Sequence, residues 1–187
     1  IAALAAAVRD AGPTRTAGVV QHGSSVATYL QQQLGIEQAQ LGRLVVRCPL
    51  LFSWPAEERA AELFGQLVGR LGMPASKAAK CFEMNPSAAG MASFEPAIEV
   101  LAPLFADHGS KGGSGSSQSG EQLLGGFLSK DPSAVRVLQC SADRLAASEA
   151  AVRQELGADR QLWAKVVRQQ QRAVNSSPDV VRQRAQA

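Results

Sequence analysis

Two prolines and three glycines keep fixed distances from one another in this chain, and that spacing constrains the fold more than any other feature of the sequence. Leu34-Gly35 is followed by Pro49 fourteen residues after the glycine, and Leu71-Gly72 by Pro86 at the same distance. Pro49 lies twenty-three residues before Gly72, and Pro86 twenty-three before Gly109 of "LAPLFADHG". A period of thirty-seven residues is thus written twice. A fixed period of that size is the signature of one supersecondary unit stacked on copies of itself.

The later copies are altered. Gly109 to Gly157 spans forty-eight residues, eleven more than the period, and "GSKGGSGSSQSG", residues 109–120, supplies the excess. Its composition predicts a flexible Gly/Ser insert, since it offers nothing to bury. It lacks the G-x-x-x-x-G-K-[ST] pattern of a phosphate-binding loop. Pro132 then takes the proline's place, and Leu156-Gly157 opens a last copy with Gln171 where the proline would stand. Backward, Pro13 lies twenty-two residues before Gly35, so "LAAAVRDAGP" reads as a worn first copy. The expectation is one domain over 1–187, with units at about 1–34, 35–71, 72–108, 121–156 and 157–187.

Each unit translates into two helices. Leu41, Leu44, Val45 and Cys48 recur at 3-4-3 spacing and form one apolar stripe. The proline ends that helix, because it lacks an N–H and restricts the residue before it. After a short turn, "AEERAAELFGQLVGRLG" places Ala60, Leu63, Phe64, Leu67 and Leu71 on one side of a second helix. Glu57 and Glu58 suit its first turn and Arg70 its last, and glycine suits a left-handed helix end. "PAIEVLAPLFADHG" and "DRLAASEAAVRQELG" repeat the second-helix role. Aromatic residues make up 5% of the chain, while Ala, Leu, Gln, Arg and Glu abound, which favours helix over sheet. The fold class expected is all-α, a solenoid of stacked helical hairpins whose hand is left open. The helices of the second unit are expected at 37–48 and 56–71.

Chemistry is sparse. No run of eighteen apolar residues exists to span a bilayer. The three cysteines, Cys48, Cys81 and Cys140, form no C-x-x-C and are expected as buried, reduced thiols. His22 and His108 are expected in loops, without a His, Cys or carboxylate at metal-ligand spacing. No G-x-S-x-G appears. The reading is non-enzymatic, with no catalytic residue, metal or cofactor. The chain begins at Ile1 rather than Met, so any targeting peptide is expected to lie outside it.

Charge carries more. The formal net charge is +3, yet from residue 159 onward six basic residues face only Asp159 and Asp179, a net +4 in the tail alone. A basic end favours phosphate-bearing partners, and a solvated helix face has the same look. Aligning the units on glycine puts a cation at the eighth position three times, at Arg43, Lys80 and Lys165, whereas the fourth copy has Gly126 there. Cations recurring at one helix position suit a surface that tracks a phosphate backbone without reading bases. Arg47, one turn beyond Arg43, and Lys130, Arg136, Arg168 and Arg172 would widen it. Trp54 and Trp163 are candidates for stacking on bases, although a Trp beside an apolar stripe is more often packing.

The "LG…LxxVVRxCPLLxS" unit, followed by a second helix ending in "LG", resembles the repeat of the mitochondrial transcription termination factor (mTERF) family. The likeness rests on Leu34, Gly35, Leu41, Leu44, Val45, Arg47, Pro49, Leu50 and Leu51, then on Leu71, Gly72, Pro86, Pro132, Leu156, Gly157, Val166 and Val167, and covers roughly residues 34–187. It implies a curved stack of helical hairpins with a 3₁₀ turn after each proline. It also implies nucleic-acid binding in mitochondria, or alternatively chloroplasts, on duplex DNA, organellar RNA or ribosomes. Departures from the pattern are Gln171 for the last proline, the split third unit, and Met84 and Gln169 in place of Arg47.

Among targets, structured RNA is favoured, because the net charge is low for encircling a duplex and neighbouring proteins can share the load. Stabilising ribosomal RNA in a mitochondrial ribosome, beside ribosomal proteins, fits that logic. The alternatives are transcription termination on organellar duplex DNA and a protein-binding helical scaffold with incidental cations.

Overall fold

A computed structural model of the chain describes residues 13–109, 118–157 and 159–169. Among them every regular element is a helix and there is no strand. Helix α1 covers Pro13–Gln32 and α2 Gln38–Arg47. A 3₁₀ helix, Pro49–Ser53, leads into α3 over 56–70, which has an α segment, Ala61–Phe64, between the wide π turns Ala56–Ala60 and Gly65–Arg70. Then come α4 (Ala75–Met84), a 3₁₀ helix Pro86–Gly90, and α5 (Glu95–Gly109). Helix α6 (Gly120–Lys130), a longer 3₁₀ helix Pro132–Gln139, α7 (Ala142–Leu156) and α8 (Arg160–Gln169) complete the order.

The corners fall where the periodic residues are. Gly35, Gly72 and Gly157 are the glycines with positive φ among the described residues, at 65°, 67° and 59°. That left-handed conformation costs an L side chain what it does not cost glycine. After the first two corners the chain is tied back: the Ile36 N–H donates to the Leu30 carbonyl and the Met73 N–H to the Leu67 carbonyl, each at 3.0 Å. Ile36 and Met73 are both buried. Gly109 behaves differently and is still helical. Ser110 follows it, so no apolar side chain is supplied to anchor such a turn.

Each of Pro49, Pro86 and Pro132 starts a 3₁₀ helix, where the spacing places a short turn and the resemblance implies one of 3₁₀ type. The residue before each proline ends the preceding helix, with N–H bonds from Cys48 to Leu44, Asn85 to Cys81 and Asp131 to Phe127. Helix α2 packs on α4, and α4 on α6 and on the 132–139 turn; the 49–53 turn meets the 86–90 turn, which meets the 132–139 turn. The pre-proline side chains bind across these contacts. Cys48 Sγ donates to the Pro86 carbonyl at 3.6 Å, and Asn85 Nδ2 to the carbonyls of Pro132 at 3.4 Å and Ser133 at 3.3 Å.

The apolar stripes read from the sequence, Leu41, Leu44, Val45 and Cys48 on α2 and Ala60, Leu63, Phe64, Leu67 and Leu71 on α3, are all buried. Phe64, Phe82 and Phe94 run through the centre with ring centroids 5.0 and 6.4 Å apart. Gln66 is buried among them and fully used: its amide nitrogen donates to Glu62 and Ser93, and its oxygen accepts from the Phe94 N–H, each at 2.6 Å. Arg70 closes α3 by bridging Glu95 at 2.9 Å and Glu121 at 2.8 Å. The three cysteines are buried and form no disulfide. Burial pushes the Cys48 and Cys81 thiols up to about 12, which keeps the Cys48 S–H available as a donor.

Two local expectations change. His22 and His108 lie in α1 and α5 rather than in loops, because both helices run on past them. The insert is also shorter than 109–120. Ser119 and Gln122 form a reciprocal capping box that starts α6 at Gly120, and Gly120 itself lies against Ala102, where a Cβ would stand 2.1 Å from the carbonyl oxygen. Residues 110–117 lie outside the described residues.

Candidate nucleic-acid interface

The ladder cations Arg43 and Lys80 stand at equivalent places on α2 and α4, and the packing of those helices brings them to one carboxylate. Arg43 Nε lies 3.4 Å from Glu83 Oε1 and Lys80 Nζ 2.9 Å from Glu83 Oε2. The Glu83 side chain is fully buried, while Arg43 and Lys80 remain about half exposed, at 52% and 42%. Glu83 has no other way to be tolerated there, because a buried carboxylate needs paired charge and hydrogen bonds. Two rungs of the ladder are thus held partly to neutralise their own protein. Sequence reasoning missed Glu83, although its position three residues after Lys80 in a helix was a usable signal.

The remaining cations divide by partner. Arg136, on the 132–139 turn, donates from Nε to Asn85 Oδ1 and so braces the same asparagine that binds Pro132. Arg168 lies with its guanidinium carbon 4.5 Å over the Phe105 ring and donates from Nη2 to the Phe105 carbonyl at 3.5 Å. Its Nε is buried with no partner, and burial lowers its pKa. Arg47, Lys130 and Lys165 are exposed and make no ion pair or hydrogen bond among the described residues. Arg172 lies outside the described residues. The cations therefore form no continuous ladder: Arg43 and Lys80 meet at Glu83, Lys130 and Arg168 meet at a pocket beside Phe105, and Arg47 stands apart.

Of the tryptophans, Trp163 is core, fully buried in α8. Trp54 is 41% exposed and carries the Arg59 guanidinium 4.8 Å above its ring. Arg59 also donates to the Met91 carbonyl, so one face of that indole is already taken. Val46, Met84 and Leu162 expose apolar surface on α2, α4 and α8. Among the described residues no helix is long and apolar enough to cross a membrane, and no group of three or more His, Cys, Asp or Glu side chains is placed to hold a metal ion. No protein-family model, curated protein or solved structure matches the chain.

Proposed function

We propose that the chain is a solenoid of mTERF-like helical hairpins that binds nucleic acid without catalysis, through the basic side of its first helices. Its target in this reading is structured RNA, ribosomal RNA of a mitochondrial ribosome first of all. Support for the stack comes from the recurrence of one device: the pre-proline side chain of one unit binds the proline carbonyl of the next, at Cys48–Pro86 and again at Asn85–Pro132. The observation that carries the binding reading is that Arg47, Lys130 and Lys165, on the first helices of three units, are exposed cations without a partner among the described residues. Each can neutralise a phosphate and release its counterion.

The test is filter binding of structured RNA and duplex DNA across a salt series. The variant Arg47→Ala/Lys130→Ala/Lys165→Ala should lower the slope of log affinity on log salt by roughly two to three, about one for each phosphate left without its cation. Arg43 and Lys80 are poor choices for this test, since removing them strands the buried Glu83 charge. Tighter binding of duplex DNA at every salt would favour transcription regulation on DNA, and absence of salt-dependent binding to both would end the proposal. Co-sedimentation with mitochondrial ribosomes tests the cellular target. A second reading, a protein-binding scaffold, draws on Val46, Met84 and Leu162, exposed on the same first helices.

A further inference from the structure

The fourth unit breaks the cation ladder at Gly126, and that break opens onto a pocket. The pocket is about 530 Å³, within the range of roughly 300–1,000 Å³ usual for small-molecule sites. Gly126 lines it, and a Cβ built there would meet nothing within 4 Å, so the ladder position has room for a long side chain at the pocket's edge. Phe105 and Phe127, with ring centroids 5.4 Å apart, form its apolar wall. Lys130 and Arg168 supply two positive charges, and no carboxylate lines it among the described residues. A second open depression, of about 300 Å³, contains Glu99 and Glu121.

The donors here are also unspent. Lys130 is exposed with no ion pair among the described residues. Arg168 lines the pocket with its guanidinium carbon 4.5 Å over the Phe105 ring, makes no ion pair among the described residues, and its Nη2 bond is long, at 3.5 Å. Gln122 uses its oxygen to accept from the Ser119 N–H, which leaves its amide N–H groups to face a ligand. An aromatic wall, two unneutralised cations and an open amide together match a planar base joined to a phosphate.

We propose that this pocket binds one nucleoside 5′-phosphate unit, with the phosphate between Lys130 and Arg168 and the base against Phe127 and the Gln122 amide. Two sources carry that chemistry: a free mononucleotide and a single unpaired nucleotide of an RNA. For the second source the inference rests on the RNA-binding reading above.

Calorimetric titration of the full chain uses adenosine 5′-monophosphate, adenosine and inorganic phosphate as probes. The mononucleotide should bind about tenfold or more tighter than either half, and Gly126→Leu should abolish that binding while leaving the circular dichroism spectrum intact. Lys130→Ala, a change at the exposed rim, should weaken the mononucleotide about tenfold and leave adenosine unaffected. A mononucleotide that binds no tighter than its halves, or binds equally to Gly126→Leu, overturns the site. RNA hairpins with and without one bulged nucleotide then identify the source. A gain from the bulge that Gly126→Leu removes identifies an RNA nucleotide, and no gain alongside intact mononucleotide binding identifies a free one. Fully paired RNA that binds both proteins equally, with no mononucleotide binding, refutes the pocket and keeps the RNA reading; the reverse pattern refutes the RNA reading and keeps the pocket.

Discussion

Adjacent glycines in α6, Gly125 and Gly126, should respond to the same substitution with opposite signs. A Cβ on Gly125 would stand 2.0 Å from the Leu71 carbonyl oxygen, 2.9 Å from its carbon and 3.1 Å from its Cβ. An ordinary carbon–oxygen contact is about 3.2 Å, so the overlap exceeds an ångström. Leu71 cannot give way cheaply, since it precedes the left-handed Gly72 and lies under the Met73–Leu67 hydrogen bond. Helix α6 must therefore retreat and loosen the packing of Leu124 and Leu128, both fully buried. Such overpacking costs about 1–3 kcal/mol, against a helix-propensity gain of about 0.5–1 kcal/mol for alanine over glycine. A net loss of up to roughly 2.5 kcal/mol for Gly125→Ala corresponds to a Tm drop of up to about 10 °C in a chain of this size. Gly126→Ala meets nothing and should gain about 0.5–1 kcal/mol. Urea denaturation followed by circular dichroism measures both. Equal shifts of the two variants, or a stabilised Gly125→Ala, would refute the close approach of α6 to the Leu71 corner.

Other expectations follow from single contacts. Glu83→Gln should release Arg43 and Lys80 toward solvent and steepen the salt dependence of RNA binding by roughly one to two; an unchanged slope would show that neither cation reaches phosphate. Gln66→Leu leaves the Phe94 N–H buried without an acceptor and should lower stability by about 1–3 kcal/mol, read as a fall in urea midpoint at constant slope. Arg70→Met should cost roughly 1 kcal/mol, less at high salt, because its bridges to Glu95 and Glu121 are partly exposed. The thiols predict an alkaline weakness: Cys48 and Cys81 keep their protons up to about 12 in the folded chain, whereas the unfolded chain loses them near 9. Folding stability should thus be insensitive to these groups below pH 9 and fall as the pH rises toward 12, by up to about 1.4 kcal/mol per pH unit for each thiol. Cys48→Ala/Cys81→Ala should flatten that decline even though it lowers stability at neutral pH, and a decline of unchanged slope would exclude the thiols as its cause.

What the sequence determined by itself were the features written into single residues and their neighbours. Gly35, Gly72 and Gly157 turn left-handed because each lacks a Cβ, and Pro49, Pro86 and Pro132 stop a helix because each lacks an N–H. The stripes of α2 and α3 are buried as the 3.6-residue period requires. The end of the insert was placed too late, at residue 120, although the Ser119-x-x-Gln122 box that starts α6 is a local signal. Tertiary structure alone decided which cations are free. Arg43, Lys80 and Lys165 share one position in the repeat, yet Lys165 is exposed without a partner among the described residues while the other two converge on Glu83. That outcome depends on where a carboxylate forty residues from Arg43 comes to rest, and no local rule sets it. Gly126 makes the same point from the other side. In the sequence it is a missing rung, and only the approach of Phe105, Lys130 and Arg168 from three helices turns it into a cavity. Backbone chemistry acts within a turn of the chain, whereas charge pairing and enclosure belong to the surfaces that packing brings together.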